Sequence, residues 1–174
     1  LAMAFAQKGE QVLVVDCDLR RPSLHRSMEL AQSPGLSNAA MGEIAWRDAV
    51  QETDMPNLWV MTAGDVPVHP SELLGSSQMQ DLVTEFSAAF DRVLIDTCSA
   101  LTVTDAAVLG SIVDGVILTV KAKKTPRHHA QQSLEVLTAA GANVLGVAVN
   151  QVRGSVRAED YDYCYSEREV GEAG

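Results

Sequence analysis

The chain has 174 residues, a hydrophobic share of 47% and a formal net charge of −10. That is enough apolar material for one compact core, and the acidity excludes the basic face that non-specific binding to nucleic acid or an anionic membrane requires. No apolar run approaches the about 18 residues of a membrane helix, and three cysteines without a C-x-x-C spacing make neither a disulfide framework nor a zinc-finger pattern, in keeping with a reducing cytoplasm.

The opening LAMAFAQKGE (1–10) reads as the back half of an amphipathic helix, with no basic segment, apolar stretch and cleavage site, and so as a point of truncation. VLVV (12–15) is a buried strand that runs into Asp16 and Asp18, with Arg20 and Arg21 following. Residues 31–57 are irregular, with GLSNAAMG as a short helix between loops. LWVM (58–61) is the second strand. The connector AGDVPVHPSELLG (63–75) is punctuated by Pro and Gly, and Ser71 is placed to cap the short turn after it. SQMQDLVTEFSAAF (77–90) sets Met79, Leu82, Val83, Phe86 and Phe90 on one helical face. RVLI (92–95), GVILTV (115–120) and NVLGVAV (143–149) are further strands, alternating with helical periods over 104–112 and 127–140. Hydrophobic periodicity stops after Val152, which divides the chain into a folded domain, 1–152, and an acidic tail, 153–174, expected to be disordered.

Continuous β-branched strands are those covered on both faces, so the expected fold is α/β, a mostly parallel sheet with helices on both faces. In such sheets ligands bind at the carboxyl ends of the strands. The residues there are Asp16 and Asp18, Asp96 with Thr97, Lys121 to Thr125, and Asn150. Like charges gathered at one edge need a cation to stay ionised, and Mg²⁺, which takes one or two carboxylates plus water and phosphate oxygens, fits best. Plainer roles exist for each residue. Asp18 can cap the helix starting in LRRPSLHR. Cys17 and Cys98 suit small buried fillers better than redox or metal groups. Arg20 or Arg21 can face phosphate, begin a helix or meet another subunit. The adjacent His128 and His129 point to different helix faces and suit the surface.

The segment VLVVDCDLRRPSLHR (12–26) resembles the Walker A′ motif of the bacterial tyrosine kinases of capsule and exopolysaccharide synthesis. FDRVLIDTCSALTVTDAAVL resembles their Walker B strand and the segment after it, and the A-G-x-x-P-x-x-P-S-E-L-L element at 63–74 and VDGVILTVKAKKT also match. The resemblance runs from Leu1 to about Val152. It implies a P-loop NTPase-like fold of the deviant Walker class and in-line transfer of the ATP γ-phosphate, driven by positioning and charge neutralisation. It implies that Asp16 assists Mg²⁺ and accepts the proton of the attacking tyrosine, that Asp18 helps hold the metal, that Asp96 binds it through water, and that Asn150 contacts adenine. Two departures stand out. No G-x-x-x-x-G-K-[ST] occurs, so the phosphate cradle and its lysine are missing, as is the basic helix used for ring assembly. Cys98 and Ser99 stand where the family has two prolines.

All three tyrosines lie in YDYCY, as Tyr161, Tyr163 and Tyr165, among acids. The family carries such clusters and phosphorylates them between neighbouring subunits; added phosphate charge would release the tail and break up a ring-like homo-oligomer. The resemblance further implies a membrane activator or polysaccharide co-polymerase domain as partner, a cognate tyrosine phosphatase, no nucleic acid, and a cytoplasmic place at the inner membrane face through a fused or partner transmembrane domain. A fragment without the phosphate loop is expected to be inactive. The alternatives are a chromosome-partitioning or division-site ATPase, for which a basic surface or amphipathic membrane helix is wanting; a receiver domain using Lys121 or Lys123, which the long excursion between the first two acid-bearing strands disfavours; and a nucleotide-free regulatory relative.

Overall fold

A computed structural model describes residues 1–152; the tail 153–174, with Tyr161, Tyr163 and Tyr165, lies outside the described residues. The chain opens with α1 (Ala2–Ala6) and then enters β1 (Val12–Asp16), the axis of the fold. Val12, Leu13 and Val15 are fully buried, as expected of a strand covered on both faces. Short helices α2 (Leu24–Ser27) and α3 (Leu36–Ala40) and a 3₁₀ turn (Trp46–Ala49) fill the irregular stretch. It ends in a strand the sequence pattern does not announce, β2 (Val50–Glu52). Then come β3 (Leu58–Met61), α4 (Pro70–Leu74), α5 (Ser77–Ala89) and β4 (Arg92–Asp96). The order in the sheet is β2-β3-β1-β4, parallel except for the antiparallel β2.

The main core forms where α5 meets this sheet. Ser76 caps α5 by accepting from the Met79 amide at 3.2 Å, and the periodic Met79, Leu82, Val83 and Phe86 are buried on its inner face. Trp46 packs edge-on to Phe86 with ring centroids 5.2 Å apart, and its indole N–H donates to Glu85 at 2.6 Å. Gly35 and Gly64 let two loops cross at contact distance: a Cβ on Gly35 would overlap the Gly64 amide and the Thr62 carbonyl.

The expected mostly parallel α/β arrangement is present, and it comes in two parts. After α6 (Asp105–Gly110), β5 (Val116–Lys121) and β6 (Val144–Asn150) pair in parallel with each other across α7 (Arg127–Ala139), as a separate two-stranded sheet. β4 bonds to β1 on one side only, and β5 to β6 on one side only. Between these sheets runs a slot of about 730 Å³, lined along its length by Val93 to Asp96 of β4 and Val116 to Val120 of β5, with Leu109 and Leu137 against it and Leu1 beside it. In the two-stranded sheet Ile117, Leu145, Val147 and Val149 are exposed. Among the described residues no helix is long and apolar enough to cross a membrane.

Candidate active site

The strand tips bring Asp16 and Asp96 together as register partners in the parallel β1–β4 pair. The Cys17 amide donates to the Asp96 carbonyl at 2.8 Å, which continues the ladder past both acids. Asp16 is fully buried. Its Oδ1 accepts from the Asp18 amide at 3.1 Å, and its Oδ2 accepts from the amides of Ser23 and Leu24 at 3.2 and 3.0 Å. Asp18 Oδ1 accepts from the amides of Arg20 and Arg21 at 3.3 and 3.0 Å. The capping role considered for Asp18 is thus shared: Asp16 serves the start of α2, and Asp18 serves the turn before it.

Asp96 is exposed at its tip. Partial burial raises its carboxyl above the ordinary range, with the negative charges of Asp16 and then Asp18 adding to the effect. The fully buried Cys17 thiol is pushed well up by burial first, then by Asp16 and Asp96, so it is an inert filler. The tips therefore concentrate negative charge that no side-chain cation within the cluster balances.

Among the described residues no group of three or more His, Cys, Asp or Glu side chains is arranged to hold a metal by itself. A small hard cation of the Mg²⁺ type does not require one, since one or two carboxylates, water and phosphate oxygens suffice. The paired acid tips suit that partial donor set. Asn150 stands apart, at the end of β6 opposite Lys121 in register, and its side-chain oxygen accepts from the Gln151 amide at 2.7 Å.

Four residues differ in detail from their local reading. Arg20 does not stand free to face phosphate: its Nε donates to Asp105 Oδ2 at 2.8 Å and its Nη2 to Asp105 Oδ1 at 3.1 Å. Ser71 is not a cap. It lies inside α4, donates to Asp105 Oδ1 at 2.6 Å and accepts from Arg20 Nη2 at 2.8 Å. His128 and His129 are exposed, but their rings meet edge to face at 4.4 Å rather than diverging. Asp105, a buried acid at the first position of α6, is the residue that sequence reasoning missed. The T-D-A step before a helical period suggested only a helix start, because the partner arginine lies 85 residues away.

The chain matches no protein-family model. It is 37% identical over 163 residues to the tyrosine-protein kinase YwqD of Bacillus subtilis, covering 94% of this chain and 68% of that protein. It is 35% identical over 167 residues to the putative tyrosine-protein kinase CapB of Staphylococcus aureus, covering 96% and 73%. Its fold superposes on the kinase domain of the Escherichia coli tyrosine kinase ETK with a TM-score of 0.85 at 33% identity, covering 89% of this chain and 62% of that one. The division ATPase MinD of Pyrococcus furiosus superposes at 0.68 with 24% identity, covering 84% and 61%, a likeness of fold alone. With relatives of this identity matched over more than two thirds of their length, and a fold shared with a tyrosine kinase domain, the chain belongs to the family of bacterial tyrosine-protein kinases.

Proposed function

We propose that residues 1–152 form the acid-bearing part of an ATP-dependent protein-tyrosine autokinase, and that its acceptors are Tyr161, Tyr163 and Tyr165 of neighbouring subunits. The observation that carries this reading is the Asp16–Asp96 register pair, with Asp96 held above the ordinary carboxylate range by partial burial first and then by its acidic neighbours. Such a cluster is poised to hold a divalent ion that also takes phosphate oxygens. Asp96 and Asp18 are the exposed and half-buried members of the cluster and suit contact with the ion through water. Bound there, Mg²⁺ would neutralise charge on the transferring phosphoryl group. Asp16, oriented by three backbone amides, has the fixed direction a proton acceptor for the tyrosine hydroxyl needs. Asn150, on the neighbouring two-stranded sheet, would contact adenine.

The residues that cradle the triphosphate come, on this account, from a segment outside residues 1–174. The slot between β4 and β5 supports it. Each strand leaves one edge unpaired toward the slot, and a parallel strand inserted there would join the two sheets at about 4.8 Å from each neighbour. A loop leaving that strand at its carboxyl end would emerge beside Asp96. The chain alone is therefore expected to be nearly inactive with Mg-ATP. Exopolysaccharide or capsule export as the process served, a polysaccharide co-polymerase domain or membrane activator as partner, a ring-like self-assembly, an opposing tyrosine phosphatase and a place at the inner membrane face follow from the family. Phosphotyrosine detection after incubation with Mg-ATP tests the reading, once on the 174-residue chain and once on a longer chain carrying a G-x-x-x-x-G-K-[ST] segment. The longer chain should label the tail tyrosines and the shorter should not.

A further inference from the structure

Arg20, Ser71 and Asp105 lie on three different elements and bond to one another. Arg20 belongs to the loop after β1, two residues beyond Asp18. Ser71 is on α4, and Asp105 opens α6 beyond the loop that follows Asp96. Asp105 is completely buried, and its two oxygens receive the arginine fork at 2.8 and 3.1 Å and the serine hydroxyl at 2.6 Å. The half-buried Cys98 thiol stands 3.8 Å from Oδ2. The Arg20 hydrogen bond holds the Asp105 carboxyl below the ordinary range, so the pair is ionic. A planar, bidentate guanidinium fixes direction as well as distance, which an ammonium does not.

We propose that Arg20, with Ser71 and Asp105, is a positioning residue: the trio clamps the loop after β1 to the loop after β4 and thereby holds the Asp16 and Asp18 carboxylates beside Asp96. Arg20 touches neither acid with its side chain. It acts through its backbone, whose amide, like that of Arg21, donates to Asp18. Without the fork the segment from Asp18 to Leu24 loses its only side-chain hydrogen bonds, among the described residues, to α4 and α6, and keeps only the buried Leu19 in the core they share. The consequence for metal binding rests on the function proposed above; the consequence for loop order does not.

Two measurements on the 174-residue chain test it. The first is hydrogen exchange at the amides of Arg21, Ser23 and Leu24, which donate to Asp18 and Asp16. In Arg20→Ala these should exchange at least about tenfold faster, with β1 amides unchanged. Ser71→Ala, a milder change, should speed them by about two- to threefold. The second is Mn²⁺ titration followed by the electron paramagnetic resonance of the free ion. Removing a positive charge near a cation site should tighten Mn²⁺ if charge alone mattered. The clamp gives the opposite sign, weaker binding by about tenfold in Arg20→Ala and also in the charge-conserving Arg20→Lys. Unchanged exchange in both the Arg20→Ala and Ser71→Ala variants overturns the clamp, and so does faster exchange with equal or tighter Mn²⁺ binding. Absence of Mn²⁺ binding in the unmodified chain counts instead against the metal reading, and the exchange data then decide the clamp alone.

Discussion

Asp16 and Asp96 face each other as register partners at the carboxyl tips of β1 and β4, and the Cys17 amide bonds the Asp96 carbonyl at 2.8 Å. Two carboxylates at adjacent strand tips repel, so the fold holds them at a cost that a bound cation would relieve.

That cost has a sign. The Asp96 carboxyl is raised by burial and by Asp16 and Asp18, so the folded chain holds its proton more tightly than the unfolded chain does. The associated stability is fully present below the ordinary carboxylate range and is lost as pH rises through the raised value. Asp96→Asn should therefore raise the thermal midpoint at pH 7, by less than the about 2–4 °C that 1 kcal/mol represents at this size, because the exposed tip is solvent-screened. Near pH 3 the variant and the unmodified chain should melt together. Calorimetry at both pH values checks this, and a lower midpoint at pH 7 would contradict it.

Asp105 behaves in the opposite way. Its carboxyl is lowered by the Arg20 hydrogen bond first, with Ser71 adding to it. The unfolded chain binds the proton more readily, so this stability is present above the ordinary carboxylate range and disappears as pH falls through the lowered value. Asp105→Asn should cost about 1–3 kcal/mol at neutral pH. The gap between the two chains should narrow on acidification. Urea denaturation at pH 7 and below pH 4 reads it; a gap independent of pH would argue against the ion pair.

Gly35 meets the backbone of Thr62 and Gly64 with no room for a methyl group. Backbone cannot swing away as a flexible side chain can, so Gly35→Ala should cost about 1–3 kcal/mol through overpacking. Gly42→Ala has open space but a φ of +75°, and should cost about 1 kcal/mol or less from backbone strain alone. Equal costs in denaturant titration would mean that crowding at Gly35 is relieved by movement of the two loops.

Phe86 is fully buried under Trp46. Phe86→Ala should destabilise by about 3–5 kcal/mol, whereas Arg92→Ala, which removes the solvent-screened pair with Glu10 at 2.7 Å, should cost only a small fraction of that. Chemical denaturation compares them directly.

Much of this was legible in the residues because it is local. The β-branched runs end in Asp16 and Asp96, and the apolar face of 77–90 is the buried face of α5. What was hidden is non-local. β2 is three residues long and pairs only at the sheet edge, too short for any periodicity to register. The Arg20–Ser71–Asp105 trio joins residues 34 to 85 positions apart, each of which reads locally as an ordinary loop cation, helix cap or helix start. The break between β4 and β5 was likewise invisible, since strand-helix-strand rhythm says which segments are strands and not whether two of them touch.

The proposed reaction is transfer of phosphate at the Asp16–Asp96 tip to the tail tyrosines once a phosphate-binding loop stands beside it. The measurement is phosphotyrosine mapping by mass spectrometry after Mg-ATP incubation of a chain extended with a G-x-x-x-x-G-K-[ST] segment. Label is expected on Tyr161, Tyr163 or Tyr165, lost in Asp96→Asn and absent from the 174-residue chain. Strong labelling of the 174-residue chain, or an extended chain whose tail stays unmodified, would contradict it.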